Sequence, residues 1–228
     1  SGSITSSVSA NTTAGFSVVT YTGTGANATV GHGLGVAPSM VITKPRSAAN
    51  NWAVWHTGLT SYAYSLLLDS TAAQAAYANT WNALPSSTVI SIGANGSTGG
   101  SGTTYVAYCF AAVAGYSAFG SYTGNNSSDG PFVYCGFRPR WIMVKSSSAG
   151  GTATYGWAIF DTSRENYNIN RSMLVANVSD AEDTTITADF DILSNGFKPR
   201  YSPNYTNGPN TYIYAAFAET PFKYSNAR

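Results

Sequence analysis

The sequence predicts an all-β protein with two tandem β-sandwich units, jelly-roll-like, that arise from an internal duplication and contain little helix. Three observations predict this fold: short apolar and aromatic runs, turn residues between them, and a repeat of the whole pattern. About six or seven such runs fall in each hundred residues, and Gly, Asn and Ser separate them. This density of short strands is typical of sandwiches and jelly rolls.

The internal repeat consists of five blocks that return in the same order, displaced by 101 to 107 positions. A displacement that grows only in small steps is what a duplicated module with loop insertions produces. The shared residues are apolar, aromatic, Gly or Pro, whereas ionisable groups mostly differ, as at His56 and Asp161. The repeat therefore indicates a shared fold and gives little sign of a shared active site. The paired blocks are 21–23 with 122–124, 38–44 with 139–145, 52–57 with 157–162, 65–69 with 172–176, and 104–111 with 211–218.

The repeat divides the chain into a first β-sandwich over 15–119 and a second over 120–228. Residues 1–14 are rich in Ser and Thr, with Ile4 and Val8 as apolar anchors, and are expected to form a linker or arm. Ordering each backbone residue costs about 1–2 kcal/mol, so this segment is not expected to fold on itself. We expect it to contribute to contacts between copies of the chain.

Each expected strand is a run of β-branched, aromatic or other apolar residues that ends at turn residues. Residues 105–110 and 212–217 are apolar on both faces, so these matched strands should be central and covered on both sides. The best helical candidate, 71–79, is Ala-rich and short. In the first unit the expected strands are 16–22, 39–44, 52–56, 64–69, 88–93, 104–112 and 117–122. In the second unit they are 131–136, 140–146, 156–161, 172–176, 184–193, 196–200, 211–218 and 221–224.

Composition argues against several functional classes. Only 9% of residues are charged, against about 25% in typical domains, yet 43% are hydrophobic, so the chain should not be disordered. The net charge of +1 argues against nucleic acid as a partner, because nucleic-acid binding calls for a basic stripe. No apolar run approaches the ~20 residues that span a bilayer. Cys109 and Cys135 lie in apolar runs and are expected to be buried free thiols.

The residues give little sign of catalysis, so we expect no enzymatic activity, no bound metal and no cofactor. A Ser nucleophile needs a base, yet His32 and His56 lie in settings that favour structural roles, and no Gly-x-Ser-x-Gly elbow occurs. Acidic residues concentrate between 180 and 191 but match no calcium-loop pattern, and a solvated turn is the favoured interpretation. A pair of carboxylates for glycosidase chemistry stays open at this point.

Aromatic side chains are the remaining candidates for a binding site, because a flat apolar face with a polar edge suits stacking on sugar rings. Trp52 and Trp157 recur at matched positions and are expected to be buried in the core. Aromatics that do not recur, and that are expected in loops, are better ligand candidates. They are Tyr62, Tyr77, Trp81, Tyr201 and Tyr205, of which Trp81, Tyr201 and Tyr205 are the predicted ligand-binding residues.

Four blocks of the second copy resemble a domain of uncharacterised function found in tail-fibre and other virion appendage proteins of bacteriophages, including phages of aquatic bacteria. The blocks are 141–145 (WIMVK), 157–164 (WAIFDTSR), 193–198 (LSNGFK) and 212–219 (YIYAAFAE). The resemblance covers 15–228, and the first copy departs from it at 107–112, where the closing Glu is absent.

The resemblance implies a virion-surface, extracellular protein that forms a homo-oligomer, with a trimer as the usual state of such fibres, and that contacts other virion proteins. We expect a structural, non-enzymatic appendage protein, such as a tail fibre, that attaches to a host-surface glycan or protein. Two alternatives stay open: a self-assembling or decorating subunit of a capsid or filament, and a depolymerase that cleaves surface polysaccharide.

Overall fold

The computed structural model describes residues 2–185, 189–200 and 204–219, and it is nearly all β, with 42% strand and 1% helix. The chain divides into two compact units. Unit 1 comprises Ser1–Leu68 and Gln74–Ala112, and unit 2 comprises Asp69–Ala73 and Val113–Arg228. The expected boundary at 119/120 falls inside a strand, so the division lies a few residues earlier in the chain than the repeat suggested.

Unit 1 contains nine strands, and all its strand pairs are antiparallel. The strands form a six-stranded sheet in the order β1-β2-β9-β4-β5-β6 and a three-stranded sheet in the order β3-β8-β7. Their bounds are β1 Ser6–Asn11, β2 Phe16–Thr22, β3 Ala28–Gly31, β4 Met40–Pro45, β5 Ala53–His56, β6 Leu66–Leu67, β7 Trp81–Ala83, β8 Val89–Ile92 and β9 Thr104–Phe110.

Unit 2 contains eight strands among its described residues, again in antiparallel pairs. A five-stranded sheet has the order β10-β17-β12-β13-β14, and a three-stranded sheet has the order β11-β16-β15. Their bounds are β10 Ser117–Thr123, β11 Val133–Tyr134, β12 Pro139–Ser146, β13 Ala158–Asp161, β14 Leu174–Val175, β15 Phe190–Leu193, β16 Gly196–Pro199 and β17 Thr211–Ala218.

The two units share one topology once β1 is set aside. Strands β2 to β9 of unit 1 correspond in chain order to β10 to β17 of unit 2, and the strand order within both sheets is then the same. The registers agree as well: Tyr21 lies opposite Tyr105 in β2 and β9, and Tyr122 lies opposite Tyr212 in β10 and β17. This agreement is what the duplication inferred from the repeat predicts.

Each unit has its own hydrophobic core, built from residues of its larger and its smaller sheet. In unit 1, alternate residues of β2, such as Val19 and Tyr21, join Ile90 and Ile92 of β8 and Trp81 of β7. In unit 2, Phe160, Phe190 and Phe197 stack in sequence, with ring centroids 4.5 and 5.1 Å apart. The alternation of buried and partly exposed residues along β2 and β9 explains why the sequence pattern identified these strands.

The segment expected to be a free arm is instead part of unit 1. Strand β1 pairs with β2 over its whole length, and Ile4 forms a parallel bridge to Val30. Gly33 has φ of +72° and an added Cβ would lie 2.9 Å from Val8 Cγ1, so β1 packs closely on this glycine. The expectation that residues 1–14 do not fold on their own chain is therefore wrong.

Other expectations are also corrected. The segment 71–79 is not helical, because Ser65 and Ala75 exchange two backbone hydrogen bonds there. Among the described residues, the helical turn is a 3₁₀ turn at Ala153–Tyr155. Trp157 is 1% exposed, as predicted, but Trp52 is only partly buried. The expected strand over 221–224 lies outside the described residues.

Cys109 and Cys135 are free thiols, as predicted, although Cys135 is only partly buried. Burial raises the pKa of both thiols to about 12. Among the described residues, no helix is long and apolar enough to cross a membrane.

Candidate functional site

A stacked pair of tyrosines fixes the loop that forms the candidate site in unit 1. Tyr21 of β2 and Tyr105 of β9 stack with ring centroids 5.2 Å apart. The Tyr21 hydroxyl donates to the Thr98 carbonyl at 2.6 Å, and the Tyr105 hydroxyl donates to the Gly96 carbonyl at 2.8 Å. Two buried side chains of the sheet therefore hold the loop 96–98 at both ends.

This loop forms one wall of a pocket of about 250 Å³. Three asparagines, two serines and one tyrosine give the pocket its chemistry, and we call it the amide pocket. It is defined by Asn50, Asn51, Ser65, Tyr77, Asn95 and Ser97. Its size lies just below the range of about 300–1,000 Å³ for drug-sized ligands, so it suits a small polar ring.

The polar groups of the amide pocket are held by one another. Asn50 Oδ1 accepts hydrogen bonds from Ser97 Oγ at 2.9 Å and from the Asn51 backbone N–H at 2.8 Å. Asn95 Oδ1 accepts from the Ser97 backbone N–H at 2.9 Å, and Asn95 Nδ2 donates to the Ala78 carbonyl. Because two donors fix Asn50 Oδ1, the amide orientation places Asn50 Nδ2 as a donor, with no acceptor for it among the described residues.

Gly96 allows the Asn50 amide to take this position. A Cβ at residue 96 would lie 2.5 Å from Asn50 Nδ2, closer than non-bonded atoms approach. Glycine at this position therefore makes room for the donor group that Asn50 presents.

Lys44 does not line the amide pocket but binds the backbone of Asn50, which does. Its Nζ donates to the Asn50 carbonyl at 2.6 Å and lies 5.9 Å from the centre of the Trp52 ring. The corresponding residue of unit 2, Lys145, is 0% exposed, and its Nζ donates to the carbonyls of Thr71, Ala72 and Ser146. Burial lowers the pKa of Lys145 to about 8. The repeated lysine thus binds loop carbonyls in each unit, but the two loops do not correspond: Lys44 binds Asn50, whereas Lys145 binds Thr71 and Ala72.

Trp81 does not lie in a loop as expected. It begins strand β7, is 6% exposed and belongs to the core, so its ring faces are not available for stacking on a ligand. Its Nε1 donates to Ser65 Oγ at 2.6 Å, and Ser65 lines the amide pocket. The expectation that Trp81 lies in a loop is therefore wrong, and its indole N–H instead holds a hydroxyl that lines the amide pocket.

Tyr205 lies at the matching loop of unit 2. Tyr122 donates to the Thr206 carbonyl at 2.6 Å and Tyr212 donates to the Asn204 carbonyl at 2.9 Å, as their counterparts do in unit 1. Tyr205 therefore corresponds to Ser97, and its ring packs partly buried against the core of unit 2. Burial, then the charges of Asp183 and Asp180, raises the pKa of Tyr205. Tyr201 lies outside the described residues.

Unit 1 contains almost no ionisable groups besides tyrosines and one thiol. Within Ser1–Leu68 and Gln74–Ala112 the sequence has no Asp or Glu, and its cations are Lys44 and Arg46. His32 is 0% exposed; its Nδ1 accepts from the Leu34 N–H and its Nε2 donates to the Ser86 carbonyl, while burial lowers its pKa. His56 Nδ1 accepts from the Gly58 N–H. Both histidines hold backbone turns.

The carboxylates of unit 2 serve mainly as partners of arginine and lysine. Burial alone would raise the pKa of Asp161, but the hydrogen bonds and charge of Arg164 hold it below its usual range. Glu165 accepts two backbone N–H bonds, from Arg171 and Ser172. The other ion pairs among the described residues are Arg164–Glu182, Arg138–Glu219, Arg171–Asp189, Lys198–Asp129, Arg200–Asp129 and Arg200–Asp191.

The acidic stretch 180–191 is therefore not simply a solvated turn. Asp189 is 6% exposed and pairs with Arg171, while Glu182 pairs with Arg164. Among the described residues, no group of three or more His, Cys, Asp or Glu side chains is placed to hold a metal ion.

A second recess in unit 1 contains Tyr62, another aromatic candidate of the sequence. It measures about 330 Å³ and is lined by Trp55, Leu59 and Leu84 together with hydroxyl residues. Tyr62 is 43% exposed and Leu84 is 62% exposed. This recess is more apolar than the amide pocket and has fewer groups that fix a ligand's orientation.

Sequence reasoning named Tyr77 as a weaker candidate and missed the asparagines altogether. Asn50, Asn51 and Asn95 come from two loops that lie more than 40 positions apart, and Asn is common throughout the chain. One sequence difference could have pointed to the pocket: unit 1 has Gly96-Ser97-Thr98 at the position where unit 2 has Asn204-Tyr205-Thr206. A loop that differs between otherwise matched frames is where a site specific to one unit is expected.

A family model described as Domain of unknown function (DUF7483) matches residues 1–221 of the chain. The match covers unit 1, which contains the amide pocket, and unit 2 as far as residue 221. No curated protein matches the chain, and no solved structure matches it.

Proposed function

Because the chain belongs to the DUF7483 family of unknown function, we propose from its own residues that it is a non-enzymatic structural protein of a phage virion appendage. In this proposal it attaches to host-surface glycans through the amide pocket of unit 1. The virion setting rests on the resemblance of the repeated blocks to tail-fibre proteins. The glycan rests on the chemistry of the pocket.

The observation that carries the proposal is the set of uncharged hydrogen-bonding groups around the amide pocket. A sugar presents neighbouring hydroxyls that each donate and accept, and asparagine amides and serine hydroxyls offer both roles. Tyr77 adds a partly exposed ring that can cover an apolar sugar face. The groups are held in place by contacts within unit 1 before any ligand binds, which lowers the entropy cost of binding.

The distribution of carboxylates supports a binding role over cleavage. Hydrolysis of a glycosidic bond by the usual route needs two carboxylates on either side of the bond. Unit 1 has no carboxylate. In unit 2, most described carboxylates form ion pairs with arginine or lysine. The hydrogen bond and charge of Lys198 lower the pKa of Asp129, and Arg164 holds the pKa of Asp161 below its usual range against the effect of burial, so neither carboxylate is suited to act as a general acid. A depolymerase is therefore the less supported alternative.

An array of neutral oligosaccharides from bacterial surface polysaccharides tests the proposal. Purified wild-type chain is expected to bind a subset of them, and Asn50→Ala and Tyr77→Ala are each expected to weaken that binding about tenfold, because loss of a positioned contact costs about 1–2 kcal/mol. Two matched controls should bind as the wild type does: Asn27→Ala, at an exposed asparagine of unit 1, and Tyr167→Ala, at a tyrosine 84% exposed in unit 2.

Three outcomes would contradict the proposal. Wild-type protein that binds no oligosaccharide on the array would remove the attachment role, and release of reducing sugar from the same polysaccharides would make the protein an enzyme. Equal binding by Asn50→Ala, Tyr77→Ala and their controls would place the site elsewhere.

A second candidate function, a subunit that builds or decorates a capsid or filament, is favoured by strand β1. This strand lies at the edge of the six-stranded sheet, and five of its six residues are exposed. It contains neither Lys nor Pro, the residues that commonly block pairing at a sheet edge. Electron microscopy of the purified chain separates the candidates, since ordered filaments or shells would support assembly and discrete trimers would support a fibre.

A further inference from the structure

Arg46 lies in another cleft of unit 1, which is separate from the amide pocket and from the recess of Tyr62. It follows strand β4, and its backbone N–H donates to the Thr104 carbonyl at 2.7 Å, which extends the pairing of β4 with β9. Its side chain is exposed and makes no ion pair with any described residue. Its guanidinium is therefore available to a ligand.

The cleft measures about 250 Å³ and is rich in hydroxyl groups. Thr22 and Thr104 lie directly opposite each other on β2 and β9, and Ser7 of β1 lies opposite Thr20 of β2. All four residues line the cleft together with Arg46. One cation thus lies beside a row of neutral donors, and we call this place the hydroxyl cleft.

The charges around the hydroxyl cleft favour a single anionic group. Unit 1 has no carboxylate that competes for Arg46 or repels an anion. Its other cation, Lys44, already donates to the Asn50 carbonyl. A guanidinium binds a carboxylate through two parallel hydrogen bonds, and adjacent hydroxyls can donate to the same oxygens or to sugar hydroxyls. One cation is too few for a nucleic-acid backbone, which needs a basic surface.

We propose that the hydroxyl cleft binds the carboxylate of an acidic sugar residue, so that the glycan recognised by unit 1 is an acidic surface polysaccharide. This inference rests on the proposed glycan attachment and adds a substrate class to it. The amide pocket recognises uncharged hydroxyls, and the hydroxyl cleft supplies the preference for a carboxylate.

The test compares an acidic surface oligosaccharide with its carboxyl-reduced form, which is neutral and otherwise identical. Wild-type protein is expected to bind the acidic form about fivefold more tightly, the size expected for one charge-assisted contact in a partly solvated cleft. Arg46→Gln is expected to lose this preference while its affinity for the reduced form stays unchanged. Arg46→Lys is expected to keep part of the preference, because the charge remains but the two-pronged geometry is lost.

A matched control separates a specific contact from general charge attraction. Arg140→Gln removes the same charge from an exposed arginine of unit 2 whose guanidinium donates to Ser163 Oγ. It is expected to keep the full preference. Equal loss in Arg140→Gln, or an unchanged preference in Arg46→Gln, would overturn the inference but leave the amide pocket standing. Failure of the wild type to bind even the reduced form would instead overturn the proposed function.

Discussion

Replacing Tyr21 by Phe removes one hydroxyl from the core of unit 1 and keeps the ring that stacks on Tyr105. That hydroxyl donates to the Thr98 carbonyl at 2.6 Å, and Thr98 is 0% exposed. A buried carbonyl left without a donor costs about 1–3 kcal/mol. We therefore expect Tyr21→Phe to lower the free energy of unfolding by about 1–3 kcal/mol, without loss of secondary structure.

The matching substitution in unit 2, Tyr122→Phe, serves as the control. Tyr122 donates to the Thr206 carbonyl at 2.6 Å, Thr206 is also 0% exposed, and the ring stack on Tyr212 has the same 5.2 Å spacing. Tyr122→Phe is thus expected to destabilise the protein by a similar amount. The two variants should differ in ligand binding, because only the loop next to Thr98 forms a wall of the amide pocket.

Urea unfolding followed by circular dichroism gives the free energy of unfolding of both variants. The oligosaccharide array then gives their glycan binding without urea, at a temperature at which both variants are folded. Weaker glycan binding in Tyr21→Phe alone, with comparable destabilisation in both, is the expected result. The reasoning is refuted if Tyr122→Phe weakens binding as much as Tyr21→Phe does, or if neither substitution changes stability.

Three further predictions concern stability and assembly. Burial raises the pKa of Tyr21 and Tyr122 well above the usual value near 10, so these tyrosines lose their protons at lower pH in the unfolded chain than in the folded protein. Their contribution to the free energy of unfolding should therefore be fully present below about pH 10 and should be lost as the pH rises above it. Absorbance at 295 nm should then rise together with unfolding, and ionisation of all tyrosines in the folded protein would contradict this. Trp157→Ala should cost about 3–5 kcal/mol and Trp52→Ala clearly less, because only Trp157 is fully buried; equal losses in urea titration would argue against the difference in burial. Deletion of residues 1–12 should reduce the size of the proposed homo-oligomer in light scattering, because it removes the exposed edge strand β1; an unchanged size would show that assembly does not use this strand.

The sequence predicted strands well wherever alternation or the repeat marked them. The expected strand 16–22 has the same bounds as β2, and 104–112 and 211–218 contain β9 and β17. It missed β1 because Ser6–Asn11 is almost wholly exposed and polar, so no apolar period marks it. It misjudged 71–79 because Ala favours helix locally, while backbone pairing between Ser65 and Ala75 decides the conformation.

The candidate site was less accessible to sequence reasoning than the fold. Aromatic residues were singled out because their chemistry suits sugars, yet Trp81 is a core residue whose indole N–H supports Ser65. The asparagines of the amide pocket have no spacing signature, and they meet because Tyr21 and Tyr105 hold the loop 96–98. Contacts of this kind depend on sheet register, which a single sequence does not reveal.

The central claim, that unit 1 binds a saccharide in the amide pocket, is tested most directly by nuclear magnetic resonance of ¹⁵N-labelled protein titrated with the neutral oligosaccharide that binds best on the array. Saturable shifts of the backbone and side-chain amides of Asn50, Asn51 and Asn95 are expected, with the loop of Tyr205 in unit 2 unaffected. Saturable shifts confined to unit 2, or none in the amide pocket while the ligand binds, would contradict the account.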